Sequence, residues 1–96
     1  MDELLSLLAA YVEALERGVA AASPEEQPDY ERRLAAAAQL GVALRSRDPK
    51  ELKRLIDQEA HAAGWGFLAG SHGAAAEEAF TKFGYRARMS GATFAA

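Results

Sequence analysis

The sequence contains no cysteine. Disulfides, thiolate metal sites, thiol nucleophiles and dithiol redox motifs are therefore excluded together. Aromatic residues are scarce, with four Phe, three Tyr and one Trp among 96 positions, whereas Ala occupies 23. Side chains this small, with so few rings, favour closely packed helices over a sandwich or a barrel. No apolar run reaches the ~18 residues of a membrane-spanning helix. Bases are nearly missing from residues 1–31, where Arg17 stands alone against Asp2, Glu3, Glu13, Glu16, Glu25, Glu26, Asp29 and Glu31. Acids at positions 2 and 3 occupy the place where a secretory signal carries cations. The expectation is a cytoplasmic protein without a membrane partner.

What is present is helical patterning. At about 100° per residue, Leu4, Leu7, Leu8, Tyr11, Val12, Leu15, Val19 and Ala22 share one face of a first helix over residues 3–22. Ser23-Pro24-Glu25-Glu26 is a start signal, followed by a second helix from about Pro28 to Ser46. Its apolar face is Tyr30, Leu34, Ala37, Leu40, Gly41 and Leu44. Asp48-Pro49-Lys50-Glu51 is a cleaner start, with Asp48 as the cap and Pro49 in the first turn. The third helix runs toward Phe83, with Gly84 as its expected C-terminal cap. Glycines 64, 66, 70 and 73 bear on its continuity. Two readings stay open here, one long rod or a break near Gly70-Ser71. The fold class is all-α: an antiparallel helical hairpin and a long glycine-rich third helix in a single domain over residues 1–84, with an irregular tail at 85–96.

The third helix carries two apolar stripes. One is Leu52, Leu55, Ile56, Ala63, Phe67, Gly70 and Ala74; the other is His61, Trp65, Leu68, His72, Ala76, Phe80 and Phe83. One face packs on the first two helices, and the economical cover for the other is a second copy of the chain. The expected oligomer interface is Trp65, Leu68, His72, Ala76, Phe80 and Phe83. The alternative is a kink at Gly70 that folds residues 72–83 back, so that both stripes meet inside one monomer. On either reading Glu59 falls among apolar positions and needs a partner, for which Arg33, Tyr11 and Tyr30 are candidates.

Chemistry-bearing patterns are sparse. His61 and His72 lie eleven residues apart, about 16 Å along an unbroken helix, too far for one metal. Neither follows a Glu by three, and the HExxH pattern is absent. Asp57 stands four before His61 and is placed to orient it. Gly70-Ser71-His72-Gly73 resembles a short anion-cradling start but lacks a preceding strand and a following Lys. No metal, cofactor or catalytic residue is expected. A basic run of Arg45, Arg47, Lys50, Lys53 and Arg54 surrounds the second turn without the interleaved aromatics of a single-strand binder. The net charge of −3 also disfavours nucleic acid.

The function these features imply is non-enzymatic: a small adaptor, regulator or inhibitor that acts by protein–protein interaction as a homo-oligomer. A second expectation is a small-molecule or anion site at a subunit boundary, formed by His61, Trp65, His72, Tyr85, Arg86 and Arg88. A third is nucleic-acid contact through residues 45–54.

Overall fold

The computed structural model describes residues 2–63 and 70–89 of the chain. These residues form four α-helices: α1 Asp2–Ala21, α2 Gln27–Arg45, α3 Pro49–Ala63 and α4 Gly70–Met89. No strand occurs among them. The all-α expectation holds.

Helix α1 buries Leu4, Leu8, Tyr11, Ala14 and Leu15, the inner part of its broad apolar face. Against it lie α2, through Tyr30, Ala37, Leu40 and Leu44, and α4, through Ala76, Phe80, Phe83 and Ala87. The Tyr11 and Phe80 rings meet at 5.3 Å between centroids with a tilt of 50°. Leu15, Leu40, Leu44 and Phe83 are the largest fully buried side chains. Each contributes on the order of 1.5–3 kcal/mol through burial. Helix α3 adds Leu52, Leu55 and Ile56 from the side of α2.

Local chemistry accounts for the helix boundaries. After α1, the Glu26 and Gln27 amides donate to the Ser23 carbonyl, and the Ser23 hydroxyl donates to the Glu26 carboxylate at 2.9 Å. Ser23 thus builds a single turn ahead of α2, and Pro28 lies in the first turn of that helix. Helix α2 ends with the Arg47 amide donating to Leu44 O and the Asp48 amide donating to Ala43 O. This paired closure needs a left-handed residue, and Arg47 supplies it at φ 52°. Asp48 then caps α3, its Oδ1 accepting from the Glu51 amide at 3.1 Å.

One open alternative is decided and one expectation is corrected. Of the two open readings, one straight rod fails. Gly84 lies beside Ile56 and Arg88 pairs with Asp57, residues that a continuous helix would hold about 40 Å apart. Helices α3 (Pro49–Ala63) and α4 (Gly70–Met89) therefore pack side by side, and residues 64–69 lie outside the described residues. Gly84 does not cap a helix, because α4 continues to Met89 and residues 85–89 are not irregular tail. Gly84 is buried beside Ile56, Ala87 joins the core, and Arg86 and Arg88 reach acids on neighbouring helices. Those contacts hold the extra turn in place. Residues 90–96 lie outside the described residues.

One close approach sets the α1–α2 spacing. A Cβ at Gly18 would overlap the Tyr30 ring, which is itself buried. At Gly84 a Cβ meets only Ile56 Cγ2, at an ordinary 3.6 Å. The same substitution therefore has opposite signs at the two sites. Gly18→Ala is expected to lose about 1–3 kcal/mol by overpacking, and Gly84→Ala to gain up to ~1 kcal/mol of helix propensity. Urea denaturation of both variants checks the pair.

Candidate functional site

Among the described residues the buried charges gather at one place. Arg33 on α2 donates from Nη1 to Glu59 Oε2 on α3 at 2.7 Å, and to the Glu59 backbone carbonyl at 3.5 Å. The two side chains are only 7% and 12% exposed. Helical spacing places Arg33 on the inner face with Tyr30, Ala37 and Leu40, and Glu59 one turn beyond Leu55 and Ile56. Arg33 is the partner that Glu59 was expected to need. Tyr11 feels both charges. Its hydroxyl is pushed well above the ordinary tyrosine range, first by burial and then by the Glu59 carboxylate, with Arg33 partly opposing. A carboxylate already matched by a guanidinium, behind so little exposed surface, acts as a clamp between α2 and α3 rather than as a reactive group.

The expected oligomer face is corrected in part. Ala76, Phe80 and Phe83 are buried inside the single chain against α1, so they cannot form a surface for a second copy. The partner of that stripe is intramolecular, as in the folded-back alternative. His72 is exposed, while Trp65 and Leu68 lie outside the described residues.

The described members of the expected ligand set do not converge on one pocket, and Trp65 lies outside the described residues. Arg86 donates from Nε to Glu3 on α1 at 2.9 Å, and Arg88 from Nη2 to Asp57 on α3 at 3.2 Å, so the two guanidiniums serve different helices. Tyr85 is 62% exposed. It lies thirteen residues beyond His72, about 20 Å along α4. His61 is exposed near the end of α3. Asp57 turns to Lys53 and Arg88, whose hydrogen bonds hold its carboxyl below the usual range. No group of three or more His, Asp or Glu able to hold a metal occurs among the described residues.

The basic turn is largely self-neutralised on α3. Lys53 pairs with Asp57, and Arg54 pairs with Glu51 through two hydrogen bonds. Those bonds lower the Glu51 carboxyl and raise the Arg54 guanidinium. Arg45, Arg47 and Lys50 remain exposed around the turn. The other end of α2 carries exposed Glu25 and Glu31, so the two ends differ in sign.

The feature that sequence reasoning missed is a groove of about 600 Å³ on the outer side of α1 and α2. Leu5, Ala9 and Val12 form one wall, and Leu34, Ala38 and Val42 the other. Leu5, Val12 and Leu34 are half-buried, and Val42 is 60% exposed. The signal was available: positions 5, 9, 12 and 34, 38, 42 are apolar stripes at helical spacing, lying beside the core-facing ones. A smaller hollow of about 340 Å³ lies between the end of α2 and the start of α3, where Val42 and Leu55 meet Asp48 and Glu51. No helix among the described residues is long and apolar enough to cross a membrane. Comparison with protein-family models, with curated proteins and with solved structures finds no match.

Two outcomes test the buried cluster. Glu59→Ala strands a buried guanidinium and is expected to cost about 3–5 kcal/mol, whereas Arg33→Met combined with Glu59→Leu recovers most of that loss in a denaturant double-mutant cycle. Alkaline stability follows from Tyr11 and Tyr30, both held above the ordinary value by burial. The unfolded tyrosines release protons from about pH 10, while the folded ones keep them. Folding stability is therefore complete below that pH and declines above it, and Tyr11→Phe is expected to flatten the decline in melting curves taken across the range.

Proposed function

We propose that this protein is a small non-enzymatic interaction module that works as a homo-oligomer and acts as an adaptor, regulator or inhibitor of another protein. The observation that carries this reading is the outer apolar groove of α1 and α2, in a chain whose inward stripes, among the described residues, are covered by its own helices. An apolar channel flanked by charge, running between two helices, is a surface suited to a helical partner. The chemistry of the buried cluster points the same way, because its carboxylate and guanidinium are spent on each other. The arginines expected to meet an anion are likewise paired within the chain, with Glu3 and Asp57. On α3, Lys53 and Arg54 face their own acids rather than presenting a bare cationic helix to a phosphate backbone. These pairings favour protein contact over the ligand and nucleic-acid readings.

Self-association is the part open to direct measurement. Light scattering coupled to size exclusion, over a wide micromolar range, is expected to return at least twice the 10.3 kDa chain mass. A particle of single-chain mass at every concentration overturns the homo-oligomer.

A further inference from the structure

The groove between α1 and α2 has opposite charges at its two ends. Contacts between the helices fix which end is which. Leu8 lies beside Gly41, and Gly18 beside Tyr30, so the touching residue on α2 falls in number as that on α1 rises. Arg45 therefore stands at the Leu5 end of the groove, and Glu13 and Glu16 stand at the Leu34 end. All three charged residues are exposed and line the channel. The Arg45 guanidinium folds back over Gly41, within 3.4 Å of where a side chain there would begin. The helix ends repeat the pattern, with Arg47 and Lys50 beyond Arg45 and with Glu25 and Glu31 beyond Leu34.

From this arrangement we infer that the groove seats a second copy of the same chain, face to face, with its helices running in the reverse direction. The inference rests on the self-associating reading above and adds where the copies meet. A two-fold axis lying in the interface across the helices brings Glu13 and Glu16 of one copy to the end that carries the partner's Arg45. The symmetry repeats that encounter at the other end. A two-fold along the helices sets acid on acid and base on base instead, and like charges disfavour it. Leu5 then faces the partner's Val12, and Leu34 the partner's Val42, in a contact of two helices on two. The size also fits. Helices of 20 and 19 residues, each about 30 Å long and lying side by side, offer a face on the order of 600 Å². That approaches the ~800 Å² each partner gives to a standard interface. The same charges make the contact salt-sensitive.

Charge exchange tests the arrangement on the full chain, with circular dichroism as the control for folding. Val42→Glu and Arg45→Glu alter exposed positions, and each is expected to weaken the dimer about tenfold or more with helicity unchanged. Glu13→Arg combined with Glu16→Arg is expected to do the same. Mixing the Arg45→Glu chain with the Glu13→Arg, Glu16→Arg chain restores a particle of two chains, because each supplies the sign the other lost. If the wild type is a dimer that these variants leave intact while Trp65→Ala dissolves it, the groove is not the interface and the self-associating reading survives. If variants of both signs weaken the dimer but the mixture does not recover, the reversed orientation is wrong. A wild type of single-chain mass throughout overturns the groove dimer and the homo-oligomer together.

Discussion

The register of the bundle depends on the Arg33–Glu59 ion pair. Alanine-rich helices slide past one another at modest cost, because small side chains make shallow ridges and grooves. A buried guanidinium does not slide. Moving α3 by one turn, about 5.4 Å, would leave both charges without partners in an apolar setting, a penalty of several kcal/mol. The 2.7 Å contact therefore fixes α2 against α3 where Leu55, Ile56 and Leu40 alone would leave latitude. Tyr11 brings α1 to the same point, since its ring lies on Phe80 and its hydroxyl feels Glu59. One polar contact and one ring contact thus reference three helices and, through Phe80, the fourth.

How much of this was legible depended on how local the signal was. Asp48-Pro49 marked the start of α3 because capping is read from adjacent residues, and the Asp48–Glu51 bond is of that kind. Glu59 on an apolar stripe announced a buried partner, and Arg33 was among the few within reach. The split between α3 and α4 was legible only as one of two readings, since scattered glycines weaken a helix without deciding whether it stops. Gly84 before Tyr85 looked like a terminal cap, yet it is a packing position against Ile56. The stripe of Ala76, Phe80 and Phe83 was correctly read as needing cover but assigned to the wrong partner. Helix α1 has an apolar arc wide enough for two neighbours, and periodicity reports the width of an arc, not how many helices share it. The outer groove went unseen for the same reason, because Val12 merged into that arc and Leu5 was left off it.

Surface charge divides into pairs that are closed within the chain and residues that are not. Glu3 with Arg86 and Asp57 with Arg88 tie α4 to α1 and α3 at its C-terminal end. Each exposed pair is worth only about 0–1 kcal/mol, so their larger effect is on recognition. They neutralise two cations on α4 that a partner would otherwise meet. Glu13, Glu16 and Arg45 keep theirs along the α1–α2 channel.

The Tyr30 ring resting on bare backbone at Gly18 has a consequence for the protein's descent. Positions 18 and 30 form one locus divided between two helices. A lineage that acquires a side chain at the first must shrink the second or move the helices apart, and moving them would also reshape the outer channel. Sequence drift there is coupled, so related chains should preserve the glycine and the ring together or lose both.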